Sequence, residues 1–202
     1  DRSATMAAPL VKVLASIAPL RWVANGIVRR MRANIPNGVS EGDVSEEELL
    51  ALAEEAAASA AIDEEERVLI EHVIEFGDTV AHEVMVPRLD ITAISIAETI
   101  DQAVKVVIDH GFSRVPVYRK NIDDISGIVY SKDLIRALRD GVSHEKVENI
   151  MREPFFVPES KKISHLLREM QSEKFHIAIV VDEYGGTAGL VTLEDLIEEV
   201  VG

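Results

Sequence analysis

The sequence predicts an α+β fold in which one β-α-β-β-α unit is present twice, behind a helical N-terminal part. Each copy opens with a short segment, 84–87 in the first and 150–154 in the second. In both segments a hydrophobic residue precedes a methionine, and a proline ends the segment. Each is followed by an amphipathic helix pattern and then by a β-branched strand. The copies run from about 79 to 138 and from about 144 to 202. Two such units packed face to face leave clefts where small ligands bind.

Composition and charge narrow the classes of function. With 202 residues, 47% of them hydrophobic, the chain can bury a core and is not a disordered protein. It has no cysteine, which excludes disulfides, thiolate zinc sites and cysteine nucleophiles. A net charge of −15 disfavours nucleic acid as a partner. The sequence has no glycine-rich P-loop, no nucleophile elbow and no clustered histidines and carboxylates, so we expect no enzymatic activity.

Residues 1–42 are basic and partly apolar. The apolar stretch 6–35 is interrupted by Pro9, Lys12 and Pro19, so it lacks the ~20 apolar residues in a row that span a bilayer. Trp22 and the nearby arginines favour an interfacial helix on anionic lipid, and the alternative is a helix buried against the protein's own core. Turn residues in 36–42 predict a linker.

The charge reverses over residues 43–78, where an acidic helical bundle of two or three helices is predicted. Ser45 with Glu48, and Asp63 with Glu66, each have the spacing of a capping box at a helix start. The second of these helices is expected to stop at Gly77.

The two copies repeat the same helix and strand patterns. Apolar residues spaced i, i+3, i+4 and i+7 predict one helix in each copy: Ile100, Ala103, Val104 and Val107 in the first, and Ile163, Leu166, Leu167 and Met170 in the second. The strands 115–118 and 177–181 follow these helices, and the glycines in 182–186 predict a hairpin connection.

Four segments, 84–88, 111–118, 176–186 and 189–199, resemble the CBS domains of the CorC/CNNM magnesium-transporter and hemolysin-related family. The resemblance covers about residues 43–202. It implies a tandem CBS-domain pair (Bateman module), with a first CBS domain at 79–140 and a second at 141–202. In this arrangement 43–78 is the acidic bundle, and 1–42 is a juxtamembrane segment and linker.

The family also implies a cellular context. Its members join a membrane domain to an acidic bundle and a cytosolic CBS pair. The membrane helices are absent from this sequence, so we expect a missing transmembrane domain, a location at the cell membrane and a CBS region on the cytoplasmic side. CBS pairs of this kind usually associate, which implies a homodimer.

The resemblance further implies binding of an adenine nucleotide, with ATP and Mg²⁺ as ligands. Thr192 and Asp195 stand at a predicted helix start, where Asp195 can accept hydrogen bonds from the ribose hydroxyls. Arg114 is expected to bind phosphates bidentately, and Ser113 adds a hydroxyl donor.

The remaining expected contacts concern the metal and the base. Glu194 is the expected position for a Mg²⁺ ion that bridges to phosphate oxygens. By correspondence with the family's first-strand contacts, Pro87 and Thr92 would flank the adenine together with Leu190.

A purely structural interpretation of these residues stays open. Thr192 with Asp195 is also the pattern of an ordinary helix cap, and a lone arginine such as Arg114 is more often a surface charge than a ligand.

The copies differ at two of the positions that are expected to contact the nucleotide. Tyr130 stands in the first copy where the second has Thr192, and Ile177 stands in the second copy where the first has Arg114. Asp133 remains as the counterpart of the second copy's aspartate. We therefore predict one working nucleotide site and one degenerate site, in which the tyrosine ring crowds the cleft.

The leading hypothesis is the cytosolic regulatory region of a Mg²⁺ transporter, with Co²⁺ as a second candidate ion, that senses Mg-ATP. Two alternatives are a hemolysin-like protein that acts on membranes and a nucleotide-sensing module that regulates another partner.

Overall fold

The computed structural model describes residues 45–202, and it begins with two acidic helices. They are α1 (Glu46–Ala58) and α2 (Glu64–Asp78). The predicted cap of α2 is confirmed, because the Asp63 side chain accepts from the Glu66 amide at 2.8 Å and the Glu66 side chain accepts from the Asp63 amide at 3.0 Å. Gly77 was wrongly predicted to end this helix, which continues to Asp78. The predicted interfacial helix and linker lie outside the described residues.

Both copies have the predicted order of elements. After a short helix α3 (Ala81–Val84), the first copy comprises β1 (Val86–Pro87), a 3-10 turn (Arg88–Asp90), β2 (Ile94–Ser95), α4 (Ile100–His110), β3 (Arg114–Tyr118), β4 (Ile125–Tyr130) and α5 (Ser131–Arg139). The second copy comprises a 3-10 turn (Val147–Asn149), β5 (Phe155–Pro158), α6 (Ile163–Glu173), β6 (Ile177–Val181), β7 (Thr187–Thr192) and α7 (Leu193–Val201). Omitting β1, each copy reads β-α-β-β-α.

The helix patterns place the predicted residues in the core. Helix α4 buries Ile100 and Ala103, and α6 buries Ile163, Leu166 and Met170. These residues share one helix face at a 3.6-residue period, so each helix lies with its apolar side on its own sheet.

The sheets show that the two copies exchange their first segments. One sheet has the order β2-β3-β4, and the other has the order β1-β7-β6-β5. Strand β1 of the first copy therefore pairs with β7 of the second, with Val86 facing Leu190 and Pro87 facing Gly189. In return, Arg152 of the second copy forms an isolated antiparallel bridge with Ile128 on β4. Each copy thus completes the edge of the other.

Two glycines permit this exchange by leaving room for a methionine. A Cβ atom on Gly189 would lie 2.6 Å from the Met85 sulfur, and one on Gly127 would lie 2.6 Å from the Met151 sulfur. Such distances are far inside van der Waals contact, so a side chain at either position requires its neighbours to move. The methionine in the opening segment of each copy therefore packs on a glycine in the last strand of the other copy: Met85 on Gly189, and Met151 on Gly127.

The apolar interior forms three clusters. One lies in each copy, and a third joins the two sheets through Ile125, Ile128, Ile177, Ile179 and Leu190. Helix α2 packs against α6 and α7, so this acidic helix covers part of the second copy, and α1 packs on α2. Within residues 45–202 no helix has the length and apolar character needed to cross a bilayer.

Candidate nucleotide-binding site

The start of α7 carries the two residues predicted to contact ribose. Thr192 Oγ1 accepts from the Asp195 amide at 3.3 Å, and Asp195 Oδ2 accepts from the Thr192 amide at 2.7 Å. This reciprocal capping box confirms the predicted helix start. Within residues 45–202 the second carboxylate oxygen, Asp195 Oδ1, accepts no hydrogen bond, and the residue is only half-buried. One oxygen therefore stabilises the helix while the other is available to a ligand.

Arg114 lies at the start of β3 and reaches the same region from the first copy. Its Nη1 is 3.5 Å from Glu194 Oε1, a long contact between a side chain 19% exposed and one 66% exposed. The Arg114 Nε atom is buried, and in the part of the chain described here it has no hydrogen-bond partner. A buried donor without a partner is costly. The guanidinium thus has unused capacity for an anion, which fits the predicted phosphate contact.

The other predicted residues lie around this centre. Leu190 is 8% exposed on β7, two residues before Thr192, and it belongs to the cluster between the sheets. Pro87 is exposed on β1 opposite Gly189, one residue from Leu190. Ser113 is exposed immediately before β3, and Thr92 is half-buried just before β2. Pro87 and Leu190 are therefore neighbours.

We call the surface defined by Thr192, Asp195, Glu194, Arg114 and Leu190 the second cleft. Sequence reasoning did not identify two further residues beside it, His176 and Lys132. The His176 carbonyl accepts from the Leu193 amide at 3.1 Å, which places this histidine next to the start of α7.

The charged groups of this surface act on the pKa of His176. Burial lowers the pKa of His176, and the positive charges of Arg114 and Lys132 lower it further, while Glu194 acts in the opposite direction. The Lys132 Nζ and the Arg114 guanidinium carbon lie 5.5 and 5.7 Å from the centre of the Tyr130 ring. Comparison of the copies could have revealed the histidine, since its counterpart in the first copy is Ser113.

The equivalent surface of the first copy, which we call the first cleft, is defined by Tyr130, Asp133, Arg136 and Arg152. The Asp133 side chain is only 10% exposed and forms ion pairs with Arg136 at 3.3 Å and with Arg152 at 2.5 Å. The Arg152 guanidinium carbon lies 4.5 Å from the centre of the Tyr130 ring. The aspartate of the first cleft is therefore already paired with two arginines, unlike Asp195 in the second cleft.

No group of three or more histidine or acidic side chains in residues 45–202 is arranged to hold a metal ion by itself. Glu194 can supply one carboxylate, which suits an ion whose other ligands are phosphate oxygens and water. A shallow depression with a volume of about 940 Å³ lies beside the α1–α2 turn, but its charged lining is one arginine, Arg67, against four acidic residues: Glu54, Asp63, Glu64 and Glu66. Four carboxylates disfavour an anionic nucleotide there.

Comparison with known proteins identifies the class of protein. The CBS-domain family profile matches residues 80–140 and 147–202, more than half of the chain. A solved CBS domain of the bacterial CNNM/CorC family Mg²⁺ transporter superposes with a TM-score of 0.74 at 43% identity, covering 79% of this chain and 98% of that one. The chain is therefore a tandem CBS-domain pair, and it belongs to the CorC/CNNM family. This confirms the predicted resemblance and fold class, whereas the predicted domain boundaries stay predictions.

Two further relatives bear on ligands and length. A CBS domain of the bacterial CNNM/CorC family transporter solved in complex with ATP matches with a TM-score of 0.65 at 43% identity, covering 68% of this chain and 97% of that one. The magnesium and cobalt efflux protein CorC of Escherichia coli K12 is 36% identical over 156 residues, which are 77% of this chain and 53% of that protein. The chain thus spans about half the length of CorC.

Proposed function

We propose that this chain is the regulatory region of a CorC/CNNM-type Mg²⁺ transporter and that it binds Mg-ATP in the second cleft. The observation that carries the proposal is the position of Arg114, which has a buried Nε without a partner among the described residues and lies 3.5 Å from Glu194. The cleft has an arginine that suits phosphates at one place and, at the start of α7, a capping threonine and an aspartate with one oxygen available to a ribose. The ATP complex of a family member supports the choice of ligand.

Each side chain has a distinct role in the proposed complex. Asp195 Oδ1 accepts hydrogen bonds from ribose hydroxyls while Oδ2 continues to cap α7. Arg114 exchanges its long contact with Glu194 for charge-assisted bonds to the distal phosphates. Leu190, Pro87 and Thr92 provide the apolar surface for adenine, and Ser113 provides a hydroxyl donor.

Glu194 makes the proposed site dependent on Mg²⁺. Without metal, this carboxylate adds to the repulsion between a chain of net charge −15 and an anionic nucleotide. A Mg²⁺ ion supplies a positive charge that the carboxylate and the phosphates can share. The ion therefore turns the repulsion between the Glu194 carboxylate and the phosphates into a net attraction.

Calorimetric titration tests this proposal. We expect about one ATP per chain with Mg²⁺ present and much weaker binding in EDTA. Glu194→Gln should bind metal-free ATP more tightly and gain less from Mg²⁺. Glu47→Gln on α1 is a matched control and should leave the metal effect unchanged. Wild-type protein that binds no ATP would overturn the proposal, and an unchanged Mg²⁺ dependence in Glu194→Gln would remove only the metal role.

The context of the whole protein follows from the same family. We propose that the chain lies on the cytoplasmic side of a cell membrane, joined to a transmembrane domain that carries Mg²⁺, with Co²⁺ as the second candidate ion. Its role there is binding rather than catalysis. Three exposed apolar side chains support a homodimer: Ile108 on α4, Phe112 two residues after α4, and Ile135 on α5. Light scattering at increasing protein concentration tests this association, and a mass that stays at one chain contradicts it.

A further inference from the structure

We infer that Arg152 is an internal ligand of the first cleft, which holds Asp133 so that this cleft does not take a nucleotide. The inference rests on the proposed nucleotide site in the second cleft and explains why the two clefts differ. The sequence analysis had assigned this difference to two positions, Tyr130 in place of Thr192 and Ile177 in place of Arg114, and had not considered Arg152.

The exchanged segments show which residue corresponds to Arg152. The Arg152 amide donates to the Ile128 carbonyl at 2.9 Å, and the Ile128 amide donates to the Arg152 carbonyl at 2.8 Å. In the reciprocal pairing, Val86 of the first copy faces Leu190 of the second, and Leu190 is the counterpart of Ile128. Arg152 and Val86 therefore occupy equivalent positions beside equivalent strands. One cleft receives a guanidinium where the other receives an isopropyl group.

The Arg152 guanidinium takes the acceptor that a ribose would need. Its Nε and Nη2 both donate to Asp133 Oδ2, at 3.0 and 2.5 Å. The other carboxylate oxygen, Oδ1, accepts from Arg136 at 3.3 Å. Both oxygens of Asp133 thus have cationic donors, whereas Asp195 in the second cleft keeps Oδ1 available.

Tyr130 completes the arrangement by supporting the guanidinium. The 4.5 Å distance between the Arg152 guanidinium carbon and the ring centre is a cation–π contact, which favours arginine over a hydrated lysine. Because Asp133 is 9% exposed, removing its partner leaves a largely buried charge. A nucleotide in the first cleft would have to displace a satisfied ion pair.

The first experiment places the same group in the second cleft. Val86→Arg should lower ATP affinity by roughly tenfold or more, since its guanidinium can form a charge-assisted bond to Asp195 in place of the ribose. Val86→Met is the matched control, with similar length and no charge, and it should bind within about twofold of wild type. If Val86→Arg folds and binds ATP as tightly as Val86→Met, the inference is overturned while the proposed function stands.

The second experiment removes the internal ligand and has two measurements, of which the second needs no nucleotide. The double variant Tyr130→Thr/Arg152→Val copies two positions of the second cleft and should raise the stoichiometry from one ATP per chain toward two. A double-mutant cycle of Asp133→Asn and Arg152→Val, measured by urea unfolding, should show strong coupling. Additive effects in that cycle would overturn the internal-ligand role, whether or not wild-type protein binds ATP.

Discussion

Phe112 in the first copy and Phe175 in the second stand at equivalent places after equivalent helices, but their surroundings differ. Phe112 is 43% exposed, whereas Phe175 is 4% exposed and stacks on Phe155 with ring centres 3.8 Å apart. Near the end of the last helix of each copy, Leu138 is 39% exposed and its counterpart Val200 only 6%. Helix α2 packs on α6 and α7 of the second copy, whereas within residues 45–202 the helices of the first copy have no comparable cover.

The clefts show the reverse of the helices, since it is the first copy whose cleft is occupied by side chains. The first copy has open helices and a cleft filled by its own ion pairs, and the second has covered helices and a cleft with available donors and acceptors. In the function that we propose, the second cleft holds the ligand and the exposed apolar side chains of the first copy form the surface for association.

The largest expected effect tests the difference in packing. Phe175→Ala should lower the free energy of unfolding by about 3–5 kcal/mol, because it empties a buried position. Phe112→Ala should change it by no more than about 0.5 kcal/mol, as is usual for a surface position. Urea unfolding of both variants at low protein concentration measures these values. Equal losses would show that the two copies are packed alike.

The next effect tests the difference between the clefts. Arg114→Ala should weaken ATP binding by about 1.5–3 kcal/mol, or roughly tenfold to a hundredfold, through the loss of charge-assisted bonds to the distal phosphates. Binding of AMP should change much less, since AMP lacks those phosphates. Ile177, the counterpart of Arg114 in the second copy, is buried in the cluster between the sheets and cannot substitute for it. Equal losses for AMP and ATP would place Arg114 at the ribose or base.

A third, smaller effect compares the two exchanged segments. Gly189→Ala should cost about 1–3 kcal/mol of unfolding free energy, as overpacking does. Its Cβ would lie 2.6 Å from both the Met85 sulfur and the Val86 carbonyl oxygen, and a backbone oxygen cannot move aside alone. Gly127→Ala should cost less, because its three nearest atoms all belong to the Met151 side chain. Chemical denaturation of the two variants measures the difference, and a larger loss in Gly127→Ala would contradict this account.

Local patterns in the sequence predicted the elements but not the exchange between copies. Ile100 and Ile163 begin helices whose apolar faces repeat at a helical period, and these helices form as expected. Strand β1 has only two residues, too few for any periodicity, and its strand conformation depends on pairing with β7. No local signal can reveal such a partner.

For the candidate site, the sequence likewise named some of the residues that the fold brings together and missed others. The resemblance named Arg114 and Glu194, and the fold brings them to 3.5 Å across 80 positions of sequence. Arg152 was missed because the segment 150–154 was used only to mark the start of the second copy, and its carboxylate partner lies 19 residues earlier, in the first copy. Aligning the two copies residue by residue would have shown an arginine opposite Val86, and that contrast is the signal to look for in duplicated chains.

The smallest expected effect concerns His176, whose counterpart in the first copy, Ser113, does not titrate. Burial and the charge of Arg114 lower the pKa of His176 in the folded protein, so the unfolded chain, with a pKa of about 6.5, binds the proton first as the pH falls. The contribution of His176 to stability is therefore fully present above that pH, and it is lost progressively as the pH falls through the folded-state pKa.

Urea unfolding between pH 7.5 and 5 measures this loss in wild type and in His176→Ser, which copies the first copy's residue. The ion pair of Asp78 with Lys162 also lowers the pKa of that carboxyl, but it is present in both proteins and cancels in their difference. His165→Ser, at an exposed position of α6, controls for the loss of an imidazole. The wild-type stability should fall more steeply than that of His176→Ser below about pH 6.5. Identical slopes would mean that the second cleft does not shift this histidine, and the charge difference between the clefts would then be smaller than their geometry indicates.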